Sequence, residues 1–180
     1  MSKKVYLVLT YTSTFLSRLI RVYTRSRFSH ISIALTQDLE PMYSFGRRYA
    51  YNPFWGGFVK EHRNSGVFKR FPNTKAAVLS LEVSEENYEN IKNVLEEMYE
   101  SKKEFGYDFI GLCLAAIKIE KKRNNKYYCS DFIKSIFQKY KIIGSEDLNK
   151  FTEPSDFLNF PGTKIIFEGL FREYKLPQIH

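Results

Sequence analysis

Phe28-Ser29-His30-Ile31-Ser32-Ile33-Ala34-Leu35 is the stretch on which the fold turns. Isoleucines alternate with small polar residues, the pattern of a strand with one apolar face. Asp38 to Pro41 supply a turn, and Met42 to Arg48 reads as the partner strand, so the two form a hairpin. Upstream, Val5 to Thr10 is an apolar run of strand length and reads as a buried strand. It is too brief for a signal-peptide core, and Thr10-Tyr11-Thr12-Ser13-Thr14 after it holds no small-x-small cleavage site. Between these strands, Thr14 to Thr24 reads as a helix. Phe15, Leu19, Ile20 and Tyr23 lie on one face and Arg18, Arg21 and Arg25 on the other.

Downstream, Asn52-Pro53-Phe54-Trp55-Gly56-Gly57-Phe58 reads as an aromatic loop, because Pro and paired glycines break regular structure. Short strands are predicted at Val67 to Phe71 and Ala76 to Glu82. Ser84 is the predicted N-cap of a long helix, with Glu85 and Glu86 suited to its first turn. Its apolar face is Tyr88, Ile91, Leu95, Met98 and Tyr99. A second helix is predicted over Phe109 to Ile117. A third begins near Cys129 and carries Phe132, Ile133, Ile136, Phe137 and Tyr140 at helical spacing. Pro154-Ser155-Asp156-Phe157 reads as a turn and Lys164 to Phe167 as a late strand. Strands and helices mix without a repeating βαβ unit, which gives an α+β class. No repeat, low-complexity tract or linker interrupts residues 1–180, so one domain is expected.

Apolar residues make up 43% of the 180, too many for a disordered chain, and aromatics alone 17%. Such a core can close around a pocket with flat walls. No stretch reaches the roughly 20 apolar residues that span a bilayer, so a cytoplasmic protein is the expectation. The net charge of +8 gathers in two clusters. One is Arg18, Arg21, Arg25 and Arg27; the other is Lys118, Lys121, Lys122, Arg123 and Lys126. Each reads either as solvated surface or as attraction to an anionic partner, a membrane surface included. No RNP-like or helix-turn-helix signature supports nucleic acid as that partner.

Two residues are candidates for chemistry. Cys129, in Tyr127-Tyr128-Cys129-Ser130-Asp131-Phe132-Ile133, falls at the start of a predicted amphipathic helix. The positive end of the macrodipole favours an anion there, and free backbone N–H groups can hold an oxyanion. The other cysteine, Cys113, lies in an apolar run and reads as a buried small hydrophobe. His30 begins a strand, which holds a side chain rigidly, as a base beside a sulfur requires. Of the three histidines it alone falls in an apolar element; His62 follows Glu61 in a predicted loop and His180 ends the chain. The scattered cysteines and histidines form no metal-ligand pairing, and no phosphate loop or Gly-x-Ser-x-Gly elbow occurs, so no metal or cofactor is expected.

Taken in order, five segments resemble one family. They are Ser29-His30-Ile31-Ser32-Ile33-Ala34-Leu35, Met42-Tyr43-Ser44-Phe45-Gly46-Arg47, Asn52-Pro53-Phe54 with Gly57-Phe58-Val59-Lys60-Glu61, Tyr107-Asp108-Phe109-Ile110-Gly111-Leu112, and Tyr128-Cys129-Ser130-Asp131-Phe132-Ile133. The pattern resembles the circularly permuted NlpC/P60 enzymes of the YiiX and YaeF type, and more distantly the lecithin:retinol acyltransferases. The histidine strand precedes the cysteine helix, the reverse of unpermuted relatives. The resemblance implies a papain-like core, an antiparallel sheet or small barrel packed against helices. It implies Cys129 as nucleophile and His30 as its base, with a third polar residue to orient the imidazole. Ser44 matches by position; Glu61, a stronger orienter, could fold back to serve instead. Tyr107, Tyr43 and Tyr128 are the expected substrate contacts. The implied activity is hydrolysis or acyl transfer through a thioester, on an amide or ester of a cell-wall peptide or a lipid, with a non-catalytic lipid- or ligand-binding module as the alternative. An amphipathic or peptide substrate and a peripheral position at the membrane go with it.

Overall fold

A computed structural model describes residues 2–13, 17, 26–49, 52–101, 106–107, 126–127, 129–142, 148 and 153–176. Along the chain run strands β1 (Ser2–Tyr11), β2 (His30–Ala34), β3 (Met42–Tyr49) and β4 (Asn52–Glu61), then helix α1 (Gly66–Arg70). Strand β5 (Lys75–Ser84) leads into α2 (Glu85–Glu100); two-residue strands β6 (Gly106–Tyr107) and β7 (Lys126–Tyr127) precede α3 (Cys129–Lys139). A 3₁₀ turn (Pro154–Asn159), strand β8 (Thr163–Leu170) and a second 3₁₀ turn (Phe171–Glu173) complete the described elements.

All eight strands join one sheet in the order β7-β6-β4-β3-β2-β1-β5-β8. From β4 to β8 every neighbouring pair is antiparallel, and the sheet packs against helices, an α+β arrangement. β1 lies between β2 and β5, and both of its faces are covered. Leu7 and Leu9 enter the larger core with Ile31, Ile33, Phe45, Phe58 and the helices; Tyr6 and Val8 enter a smaller one with Met42, Phe68, Phe171 and Tyr174. A strand buried on both faces has no polar face to show, which is why Val5–Leu9 reads as an unbroken apolar run.

Helix α2 starts where Ser84 accepts a hydrogen bond from the Asn87 amide, with Glu85 and Glu86 in its first turn. Ile91 and Leu95 are buried, with Tyr88, Met98 and Tyr99 packed at the edges. Helix α3 buries Phe132, Ile133, Ile136 and Phe137 against β2 and β3. Each such side chain stabilises the fold by roughly 1.5–3 kcal/mol.

The structure corrects two readings. Residues 52–58 form the first part of β4, not a loop. Pairing steps from Arg47↔Gly56 to Tyr49↔Asn52, so Pro53 falls in the irregular stretch where its missing N–H costs no ladder bond. Gly57 stands directly opposite Gly46. Val67 to Phe71 belongs mostly to helix α1, not to a strand. Only Phe68 there is buried, edge-on to Phe171, and Lys69 and Arg70 suit a helix's last turn. Gly66 opens this helix at φ +54°, a conformation glycine adopts without a Cβ clash. The turn at Pro154 is the start of a 3₁₀ helix. The helices predicted at 14–24 and 109–117 lie outside the described residues, apart from Ser17, which is helical and buried.

Candidate active site

β2 places its residues on alternate faces. Ile31 and Ile33 point into the larger core, so His30, Ser32 and Ala34 point the other way. Ser44 and Gly46 on β3 share that side with Met42. Thr10 on β1 is directly opposite His30. Glu61 closes β4 and, despite its place in sequence beside the exposed His62, turns its carboxylate inward.

The carboxylate reaches the imidazole. His30 Nε2 lies 3.1 Å from Glu61 Oε1 and 3.2 Å from Oε2. The Ser32 hydroxyl donates to Glu61 Oε2 at 2.6 Å and lies 3.2 Å from His30 Nε2. Ser44, fully buried, sits beside the same carboxylate and helps keep it charged, although its hydroxyl falls short of a well-formed hydrogen bond. The Cys129 side chain also lies close enough to the imidazole to favour its charged form. Cys129 is a free thiol, 4% exposed, and the first residue of α3.

Burial works against a charged imidazole at His30. It is outweighed by the Glu61 carboxylate, then by the nearby Cys129 side chain and the hydrogen bond to Glu61, and the group is lifted from 6.5 to about 10. Burial likewise raises Glu61, but the facing imidazolium, hydrogen bonds from His30 and Ser32, and the nearby Ser44 hydroxyl hold it below the usual carboxylate range. The side chains are 21% and 16% exposed, so water still touches the pair. The arrangement keeps a proton on the imidazole at neutral pH, with a carboxylate behind it and a sulfur in front.

Of the residues singled out from sequence, the structure thus gathers Cys129, His30, Glu61 and Ser44. Glu61 occupies the end of a strand, not a loop, and makes the direct contact with the ring. Tyr43 is placed elsewhere. It stands opposite Ile33, is 5% exposed, and its ring stacks on Phe58 at 6.1 Å with Lys60 over it. Burial first, then Glu96 and Tyr99, raise its phenol. Tyr107 lies in β6, whose Gly106 pairs with Gly57 of β4. Tyr128, Cys113 and the basic residues 18, 21, 25, 118 and 121–123 fall outside the described residues. Arg27 is exposed and ion-paired with Glu168.

Ser32 went unnoticed in the sequence, though a polar residue two along a strand from His30 must share its face. Gly46 went unnoticed too: a Cβ there would lie 3.2 Å from Ser44 Oγ, 3.4 Å from Glu61 Oε1 and 3.5 Å from His30 Cε1. Among the described residues no group of His, Cys, Asp and Glu is placed to hold a metal ion. No helix among them is long and apolar enough to cross a membrane. No protein-family model matches the chain, and no curated protein matches it.

Proposed function

We propose that the protein is a cysteine-nucleophile hydrolase or acyltransferase on a circularly permuted papain-like fold. The observation that carries this reading is the imidazole of His30 held between the Cys129 sulfur and the Glu61 carboxylate. His30 on an early strand and Cys129 on a late helix support the permuted order.

The chemistry is acyl transfer in two halves. In the resting site the thiol proton already resides on His30, and Glu61 stabilises that imidazolium. The thiolate of Cys129 attacks an ester or amide carbonyl, and backbone N–H groups at the start of α3 are suited to the oxyanion. His30 returns the proton to the departing alcohol or amine as the carbon–oxygen or carbon–nitrogen bond breaks, leaving a thioester on Cys129. Water or an acceptor, deprotonated by His30, then releases the acyl group and regenerates the thiol. An amphipathic lipid or peptide fits the aromatic-rich composition, and the basic clusters suit a substrate at an anionic membrane surface. A module that only binds its ligand has no need of a buried carboxylate behind a histidine that faces a thiol.

Labelling with iodoacetamide at pH 6, read by peptide mass spectrometry, tests the reading. Cys129 should react much faster than Cys113 and faster than free cysteine. Cys129→Ala should fold, by circular dichroism, and lose both the rapid labelling and any turnover of thioester, ester or amide substrates. Slow labelling of Cys129, no faster than free cysteine, would refute it.

A further inference from the structure

We propose that Ser32 is a positioning residue of this site, clamping the Glu61 carboxylate to the His30 ring. The proposal rests on the catalytic reading of Cys129 and His30, and deepens it. Ser32 is fully buried between β1 and β3, opposite Val8, where a hydroxyl has no water to bond. A buried hydroxyl needs partners, and this one finds two in the pair itself. It donates to Glu61 Oε2 at 2.6 Å, and its oxygen can accept from the Nε2–H at 3.2 Å. The carboxylate comes from β4 and the imidazole from β2, with β3 between them in the sheet. Ser32 is anchored to the same strand as the imidazole, so it holds a residue from two strands away in register with the ring.

Both halves of that contact favour the charged pair. The donated bond stabilises the carboxylate, and the accepting oxygen stabilises the imidazolium. Among the described residues the ionisable groups facing His30 are Glu61 from β4 and Cys129 from α3. Thr10 of β1 and Gly46 of β3 stand beside the ring without bringing a charge. Loss of the Ser32 hydroxyl should therefore make His30 give up its proton more easily and Glu61 accept one more easily. The pH range over which the pair is charged narrows from both ends.

The test uses the full chain with isotope-labelled histidine, whose three imidazoles are separable by variants of His62 and His180. In Ser32→Ala the His30 titration midpoint should fall by about one pH unit, a tenfold loss of proton affinity. The upper pH limit of the rapid labelling of Cys129 should move down by the same amount. Ser32→Thr, which keeps a hydroxyl at the same carbon, should restore both. If the wild type labels rapidly but Ser32→Ala leaves the midpoint and that pH limit unchanged, the clamp is refuted and the catalytic reading stands. Thermal unfolding of both variants separates a local effect from a failure to fold: an alanine variant whose loss of labelling follows only its unfolded fraction, with the midpoint of the folded fraction unmoved, also refutes the clamp. A wild type that labels no faster than free cysteine overturns the underlying reading instead.

Discussion

Replacing Glu61 by Gln removes a charge from behind the imidazole while keeping the size and shape of the side chain. The structure sets the magnitude. The contact is 3.1 Å, between side chains 21% and 16% exposed. Lifting His30 from 6.5 to about 10 corresponds to a ceiling of about 5 kcal/mol, at about 1.4 kcal/mol per pH unit. Burial opposes that rise, and Glu61 is the largest contribution in its favour. Water at the exposed fifth of the ring screens the pair, so about 3 kcal/mol is expected to go with the carboxylate. The His30 midpoint should then drop by about two pH units, read by NMR on labelled histidine. The sign also fixes how stability responds to pH. His30 is raised on folding, so its contribution is complete below about pH 6.5 and fades as pH climbs toward 10. Glu61 is lowered, so its contribution is present above about pH 4.5 and lost as the pH falls through its folded value. Wild type should exceed Glu61→Gln most in urea unfolding near pH 5–6.5, with the gap closing on either side. A Glu61→Gln protein whose imidazole still holds its proton at pH 9 would refute this account of the site.

Gly46→Ala should place a methyl against Ser44 Oγ at 3.2 Å and close to both members of the ion pair, costing about 1 kcal/mol in urea unfolding and slowing alkylation of Cys129. Phe132→Ala should destabilise by about 3–5 kcal/mol, because that ring is fully buried at 5.4 Å from Phe45 and 5.3 Å from Phe58; denaturant titration would measure it. Ser84→Ala should cost about 1 kcal/mol in thermal unfolding through loss of the bond to the Asn87 amide, and leave Cys129 labelling unchanged.

Elements with a strong period were legible in the sequence. β1, β2, β3, β5 and α2 each carry a local pattern that survives folding, and the cap at Ser84 announces its own helix. β4 was not legible, since Pro53, Gly56 and Gly57 are breakers by local rules. They form a strand only because β3 offers a partner with a glycine and an irregularity in matching places. Val67-Phe68 has β-rich composition, yet a single buried ring suits one helical turn better than an alternating face. At the site, His30 and Cys129 stood out by chemistry and position. The choice between Ser44 and Glu61 could not be made, because which one touches the imidazole depends on how β4 folds beside β3. Ser32 was hidden for a simpler reason: serines in strands are common, and only its neighbours make this one distinctive.

The place of β2 in the sheet has a consequence for motion. Strands with partners on both sides are the last to open when a fold breathes, whereas edge strands fray at little cost. β2 is flanked by β1 and β3, while β7 is the margin of the sheet and ends two residues before Cys129. The imidazole therefore rides on the part of the molecule that amide exchange should find slowest. The two-residue β7 at the margin should exchange orders of magnitude faster.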